Sequence, residues 1–171
     1  MIELAKGAAE RIKNIKAFAL DMDGTVYLGK RLLPGTPPFL QMCRDRGIPY
    51  VFLTNNSSKS CADYVKKLKG MGIDADLSNV MTSGDATIRY LHSEYPGRRV
   101  YLCATPSFEQ EVREAGIELA RGRADADVAV LAFDMTLTFQ RLVALCDIVR
   151  DGKPLIATHP DNTCPVTGGS N

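Results

Sequence analysis

Residues 17–25 read AFALDMDGT, a short apolar run that ends in two aspartates and a glycine. The uncharged residues 17–20 predict a buried strand, and Gly24 predicts a sharp turn soon after it. Asp21 and Asp23 therefore stand at the carboxyl end of a strand. In open parallel α/β sheets ligands bind at that edge, so the fold of the remaining chain decides how these two acids are interpreted.

Beyond this stretch, short apolar runs alternate with segments of helical periodicity, which predicts repeated βα units, a parallel sheet and an α/β fold. The 49–53 run is apolar throughout, which predicts a strand covered on both faces. The predicted elements are a helix 3–13, a strand 17–20, a hairpin at Gly29 and Lys30, a helix 37–46, a strand 49–53, a helix capped by Ser57 or Ser58, a strand 79–82, a helix from Ser83, a strand 99–103, a helix from Ser107, a strand 127–133, a helix from Thr138 and a strand 155–158.

Composition excludes several classes of function. The 171 residues are 45% apolar and 24% charged with a formal net charge of +1, so no global field attracts the chain to nucleic acid or to an anionic membrane. The longest largely apolar stretches, such as residues 126–133, are far shorter than the roughly 20 residues that cross a bilayer. The charged N-terminus also lacks the apolar core of a signal peptide, so we expect a cytoplasmic protein without nucleic-acid or membrane partners.

The cysteines do not indicate a disulfide framework or a zinc site, because none of the five forms a CxxC pair. We interpret them as reduced packing residues. Cys61 alone, early in a predicted helix, is placed where a thiol could become reactive. The five are Cys43, Cys61, Cys103, Cys146 and Cys164.

Asp21, Asp23 and Gly24 favour phosphoryl-transfer chemistry. Two carboxylates two positions apart can converge on one hard cation, and a glycine lets the backbone approach a phosphate. With a bound Mg²⁺ to offset the repulsion between anions, Asp21 would attack phosphorus in line. Asp23 could protonate the leaving alcohol and later deprotonate the water that hydrolyses the aspartyl-phosphate. The structural alternative is an ordinary Asp-Gly turn after a strand.

The next strand adds a second set of polar groups. Residues 51–53 lead into Thr54, Asn55, Asn56 and Ser57, so a hydroxyl and successive backbone N–H groups would open a helix at the same edge of the sheet. Such groups make an anion cradle that could hold the phosphoryl oxygens. Taken alone, these residues could equally be a helix cap.

Together, DMDGT after one strand and LTNNS after the next resemble the first two motifs of the haloacid-dehalogenase superfamily of aspartate-nucleophile hydrolases. The acid two positions after the nucleophile is similar to the phosphatase branch. The resemblance implies a Rossmann-like core and a Mg²⁺ cofactor held by Asp21 and by the backbone carbonyl of Asp23. It also implies that Thr54 binds phosphate, and we add Asn55 and Gly24 as candidate phosphate-binding residues. Asp21 would be the nucleophile and Asp23 the general acid and base.

The later sequence resembles the α/β cap of the NagD-like, p-nitrophenylphosphatase-type branch. Positions 26–53 leave no room for an inserted cap between the two motifs, so the cap must follow the second motif. The stretches 97–117, 128–142 and 152–165 are similar to that cap. We therefore predict that residues 1–80 form part of the hydrolase core and residues 81–171 an incomplete cap, which would close over the site and select the substrate.

Two further parts of the family's machinery are expected after the cap and are not found. They are a third-motif lysine that steadies the nucleophile and the phosphate, and a fourth-motif acidic pair that completes the metal shell. The chain stops at Asn171 before either. We therefore expect these 171 residues to be part of a longer phosphatase, to leave one sheet edge bare, and to be a poor catalyst alone.

Several residues imitate these missing parts or offer other chemistry. Lys153 follows a glycine as the motif lysine does, but it precedes a predicted cap strand. Asp147 and Asp151 are interpreted as a solvated helix face, and Gly84 with Asp85 as a helix start. His159 and Asp161 follow a strand and could face the substrate, although a local hydrogen bond is favoured for His159. His92 is interpreted as structural, near the end of its helix.

The leading hypothesis is a Mg²⁺-dependent phosphomonoesterase for a small phosphorylated metabolite such as a sugar phosphate or a nucleotide. A phosphotransferase would use the same residues but pass the phosphoryl group to an alcohol. A non-catalytic phosphate-binding module is disfavoured by Asp23, because a mere acceptor needs no second acid. A homo-oligomer formed through the cap is left open.

Overall fold

The computed structural model describes residues 14–161, and the elements are numbered within that range. The strands are β1 (Phe18–Asp21), β2 (Tyr27–Leu28), β3 (Arg31–Leu32), β4 (Tyr50–Thr54), β5 (Val80–Thr82), β6 (Val100–Cys103), β7 (Val128–Leu131) and β8 (Leu155–Ala157). The helices are α1 (Thr36–Asp45), α2 (Cys61–Gly70), α3 (Ser83–Glu94), α4 (Pro106–Glu114) and α5 (Phe139–Arg150), with a short 3-10 turn at Arg123–Asp125.

The first sheet is parallel, with the strand order β1-β4-β5. Phe52 of β4 is fully buried against apolar side chains of α1 and α2, including Leu40 and Leu68. Val51 and Leu53 are only half-buried. The expectation that this strand is covered on both faces is therefore wrong for the described part of the chain, where packing covers one face more completely than the other.

The second sheet is also parallel, with the order β6-β7-β8. Side chains alternate across its faces, so Val100 and Leu102 pack with α3 and α4 while Tyr101 and Cys103 pack with α5. All four β6 residues are buried, as expected for a strand with helices on both sides. The α/β class predicted from the sequence, with parallel strands, is confirmed.

A two-stranded hairpin lies between β1 and α1. Tyr27 pairs with Leu32 and Leu28 with Arg31, so the turn falls at Gly29 and Lys30 as predicted. Gly29 has φ +62°, a conformation that favours glycine.

Most predicted element bounds agree with the structure to within two residues, and two of the differences bear on the site. The helix expected to start at Ser57 or Ser58 is capped by Ser60 instead, because the Ser60 hydroxyl accepts the Asp63 N–H while the Asp63 carboxylate accepts the Ser60 N–H. Strand β7 ends at Leu131 rather than at residue 133.

The predicted helix 3–13 lies outside the described residues. The predicted division of the chain into residues 1–80 and 81–171 stays a prediction. No helix within residues 14–161 is long and apolar enough to cross a membrane.

Candidate active site

The carboxyl ends of β1 and β4 bring the first predicted site residues to one edge of the first sheet. The register pairs Asp21 with Leu53, and the Met22 N–H donates to the Leu53 carbonyl at 3.1 Å. Thr54 lies one position beyond that pair, at the end of β4. Parallel neighbouring strands lie roughly 5 Å apart, so the backbones of Asp21 and Thr54 are close.

A tight turn after β1 presents the two aspartates. The carbonyl of the buried Met22 accepts the N–H groups of Thr25, Val26 and Tyr27 at 3.0–3.3 Å. Asp21 and Asp23 lie on either side of this anchored residue, and both are exposed. The Thr25 hydroxyl also donates to Asp21 Oδ2 at 3.3 Å. The turn therefore holds both acids at the surface on a buried support.

Gly24 shapes the same turn. Its φ of +88° is one that other residues rarely adopt, and its N–H donates to the Tyr27 carbonyl at 2.8 Å. This amide is therefore already used within the turn, and phosphate binding by Gly24 stays a prediction.

The Asp23 carboxylate has two partners that are distant from it in the sequence or not indicated by its spacing. The hydroxyl of the buried Tyr27 donates to Asp23 Oδ2 at 3.4 Å, and Lys67 Nζ lies 3.8 Å from Asp23 Oδ1 and 3.7 Å from the centroid of the Tyr27 ring. Burial lowers the pKa of Lys67 more than Asp23 raises it, which agrees with so long an ion pair. Burial, followed by the nearby Asp23 charge, raises the pKa of Tyr27.

Residues 55–60 form a loop between β4 and α2. The Asn56 N–H donates to Thr54 Oγ1 at 3.2 Å, and the N–H and hydroxyl of Ser58 donate to Asn56 Oδ1 at 2.9 and 2.6 Å. The expectation that a helix opens at these residues is therefore wrong, because α2 starts only at Cys61. Of the amides in the predicted cradle, that of Asn56 bonds within the loop, and phosphate binding by Thr54 and Asn55 stays a prediction.

The Asn55 side chain reaches the segment that follows β8. Its Nδ2 donates to Asp161 Oδ2 at 3.2 Å. Nearby, the half-buried His159 ring has its centroid 6.3 Å from that of Phe133. The structure thus brings Asp161, considered as a substrate contact, next to Asn55, which was predicted to bind phosphate. The roles of both residues stay predictions.

The donors at this edge suit a magnesium ion only as part of its shell. A carboxylate at Asp21 and a backbone carbonyl at Asp23 are the hard oxygen ligands that Mg²⁺ prefers, and Mg²⁺ commonly keeps several waters beside one or two carboxylates. Within residues 14–161, no group of three or more His, Cys, Asp or Glu side chains is placed to hold a metal ion. The residues present therefore fit the ion without enclosing it.

The lookalike residues have structural partners elsewhere. Arg123 pairs with both Asp147 and Asp151, at 3.4 and 2.6 Å. Lys153 precedes β8, and so lies at the amino end of a strand rather than at the carboxyl edge. Gly84 lies in the first turn of α3, where a Cβ atom would come within 2.6 Å of the Phe108 ring, so close packing accounts for this glycine.

Four of the five cysteines lie among the residues that the structure describes, while Cys164 lies outside them. Cys43, Cys61 and Cys103 are buried free thiols, and Cys146 is half-buried. Burial raises the pKa of Cys61, so its position at the start of α2 does not activate it.

Glu111 lies on α4, which packs on the second sheet, and contacts α2, which packs on the first. This contact makes one pH prediction possible. Its Oε1 accepts the Cys61 N–H at 3.0 Å, while its buried Oε2 has no hydrogen-bond partner in the described residues. Burial raises the pKa of Glu111 above its usual value. The hydrogen bond from the Cys61 N–H lowers this pKa in part, and the negative charges of Asp85 and Asp63 raise it further.

We expect Glu111→Gln to change the pH dependence of stability. A carboxyl whose pKa is raised by folding contributes stability at low pH, and that contribution is lost as the pH rises from about 4.3, the unfolded value, through the folded value. Above that window the variant should be more stable than the parent by about 1 kcal/mol, and below it the difference should vanish. Urea unfolding at a series of pH values measures this.

Glu109→Gln is the matched control for that series, because Glu109 lies on the same helix but pairs with Arg113 at the surface. An equal pH response in the two variants would contradict the burial of charge at Glu111.

Parallel strands with an aspartate-led turn at their carboxyl edge define an α/β protein of the kind that binds ligands at strand ends. The family model described as haloacid dehalogenase-like hydrolase matches residues 18–118, and the chain belongs to this family. The resemblance found in the sequence is thereby confirmed.

The similarity of the chain to named proteins supports its place in the NagD-like branch of the family. The acid sugar phosphatase of Staphylococcus aureus is 33% identical over 158 residues, which cover 92% of this chain and 61% of that protein. The 4-nitrophenylphosphatase of Thermotoga maritima superposes with a TM-score of 0.86 at 41% identity, covering 91% of this chain and 59% of that one. NagD from E. coli K-12 superposes with a TM-score of 0.77 at 26% identity, covering 86% and 58%. The chain thus spans about 60% of the length of these relatives.

Proposed function

We propose that the protein is a Mg²⁺-dependent phosphomonoesterase that works through an aspartyl-phosphate intermediate. The observation that carries the proposal is the placement of Asp21 and Asp23 on one anchored turn at the end of β1, beside Thr54 at the end of β4. Family membership supports the choice of a hydrolase.

Each residue has a defined task in this proposal. The Asp21 carboxylate attacks phosphorus and displaces the alcohol, while Asp23 gives that alcohol its proton. Asp23 then takes a proton from the water that attacks phosphorus and releases Asp21. When bound, Mg²⁺ would be held by Asp21 and the Asp23 carbonyl and would offset the repulsion between the two anions. Thr54 hydrogen-bonds the phosphoryl oxygens.

The contacts around Asp23 support its task. Tyr27 and Lys67 approach different oxygens of this exposed carboxylate, so a buried ring and a helix restrict its orientation. An acid that must serve a leaving group and later a water molecule needs such a fixed position.

For the substrate we propose a small phosphorylated metabolite, either a sugar phosphate or a nucleotide. The Staphylococcus aureus relative carries the name acid sugar phosphatase, which supports the sugar phosphate first. The segments after β7 and β8, with Phe133, His159 and Asp161, lie next to the loop after β4 and would contact the alcohol part of the ester.

A phosphate-ester panel tests the proposal on the protein expressed from its complete reading frame. We expect release of inorganic phosphate with Mg²⁺ and at least a hundredfold loss, about 3 kcal/mol, when a chelator removes the ion. An added acceptor alcohol should yield no new phosphate ester, which separates hydrolysis from phosphotransfer. Undiminished turnover in excess chelator would contradict the Mg²⁺ dependence, and no turnover of any ester would contradict the function.

A further inference from the structure

Two consecutive buried serines connect the loop after β4 to the ends of all three strands of the second sheet. Ser57 and Ser58 are 0% and 6% exposed. The Phe133 N–H, just beyond β7, donates to Ser57 Oγ at 2.9 Å. The Thr158 hydroxyl, just beyond β8, lies 2.8 Å from the same oxygen. The Thr105 hydroxyl, just beyond β6, donates to the Ser58 carbonyl at 2.7 Å.

The Ser57 hydroxyl completes hydrogen bonding that the second sheet cannot provide for itself. The Ala132 N–H bonds to the Cys103 carbonyl of β6, so the next amide, Phe133, faces the opposite side of the strand, where β8 has already ended at Ala157. Ser57 Oγ fills that place from the other half of the structure. A hydroxyl has one donor and two acceptor sites, so it can accept from Phe133 and also bond to Thr158.

The same serines are linked to Thr54 through a chain of hydrogen bonds. Ser58 donates twice to Asn56 Oδ1, and the Asn56 N–H donates to Thr54 Oγ1. Thr54, the residue proposed to bind phosphate, is therefore three hydrogen-bonded steps from Thr105, just beyond β6, and Ser57 follows Asn56 directly in the chain. A shift of the loop at Thr54 must move these contacts or break them, because the serines are enclosed and bonded on both sides.

From these contacts we infer that Ser57 and Ser58 form a joint that positions the second sheet, with Phe133 and the segment after β8, on the phosphate-binding loop. Ser57 is a positioning residue in this inference and not a catalytic residue. The inference rests on the proposed function only in that the loop is assigned to phosphate through Thr54.

Amide hydrogen exchange of Phe133, measured by NMR on the protein without ligand, tests the joint. Ser57→Ala removes the acceptor of a buried N–H, so the Phe133 amide should exchange about tenfold faster. The Val130 amide inside β7 should change by less than about twofold, because the effect is local. Thr158→Val should accelerate Phe133 exchange by about threefold, whereas Thr158→Ser keeps the hydroxyl and should restore the parent rate.

The double variant of Ser57→Ala and Thr158→Val gives the deciding comparison. Since both changes act on one hydroxyl pair, their combined effect should fall short of the product of the two single effects. Ser93→Ala on the exposed face of α3 is the control and should leave Phe133 unchanged.

An unchanged Phe133 amide in Ser57→Ala, or equal acceleration at Val130 and Phe133, would overturn the joint. If Ser57→Ala does not fold, the Thr158→Val and Thr158→Ser pair decides alone. A protein that hydrolyses no ester but shows the Phe133 response would contradict the proposed function and leave the joint supported.

Discussion

Asp21→Asn should reduce ester hydrolysis by a factor of about 10³ or more, because an amide cannot form the aspartyl-phosphate and Asp23 has no nucleophile to assist. The substitution keeps the size of the side chain and the Thr25 contact at Oδ2 can be replaced by a similar hydrogen bond, so the fold should be retained. Steady-state turnover of the preferred ester, with circular dichroism as the check on folding, measures the effect.

Asp74→Asn is the matched control, because Asp74 is an exposed aspartate of the same half of the structure with no ion pair within the described residues. It should retain full turnover. Equal turnover by the parent and Asp21→Asn would remove Asp21 from the chemistry.

The second large effect is expected at Asp134, three residues beyond the end of β7. Its side chain is 1% exposed, and Arg141 Nη1 lies 2.8 Å from its Oδ2. The other end of the Arg141 guanidinium, Nη2, donates to the carbonyls of Leu102 and Ala104 at 3.0 and 3.2 Å. Asp134→Asn leaves this guanidinium beside a neutral amide and should lower the free energy of unfolding by about 3 kcal/mol.

Urea unfolding followed by circular dichroism measures that loss. Asp147→Asn is its control, since Asp147 pairs with Arg123 and Arg150 at a site that is 30% exposed, and it should cost less than about 1 kcal/mol. Similar losses in the two variants would show that burial of the Asp134 pair contributes nothing extra.

The positions of the strands could be predicted from apolar runs, but the expected burial of residues 17–20 is wrong, since Phe18 and Leu20 are half-buried and Ala19 is exposed. Residues 100–103 and 128–131 are uninterrupted apolar runs, and their burial follows from helices on both faces of the second sheet. The placement of Asp21 and Thr54 at one edge also follows from sequence, since both close an apolar run and parallel strands align their carboxyl ends.

The predicted start of the helix after β4 is wrong for a local reason. Ser57, Ser58 and Ser60 can all cap a helix, but only Ser60 has an acid three positions later, at Asp63. That capping-box pattern was present in the sequence and would have selected Ser60. Ser57 and Ser58 instead bond to the second sheet, and no local pattern indicates this.

The partners of Asp23 could not be found from sequence spacing. Lys67 belongs to a lysine-rich stretch of α2 that is typical of a solvated helix face. Its position above the Tyr27 ring depends on how α2 packs against the hairpin, which is a tertiary contact between elements 40 positions apart. The hydrogen bonds from Ser57 to Phe133 and Thr158 join residues that are even farther apart in the sequence.

Trapping the covalent intermediate tests the central claim most directly. The protein is mixed with its preferred ester and Mg²⁺, treated with borohydride to reduce any acyl-phosphate to an alcohol, and sequenced by tandem mass spectrometry. We expect homoserine at position 21 and an unmodified Asp23. Reduction at another residue, or turnover of the ester with no reduced aspartate anywhere, would contradict it.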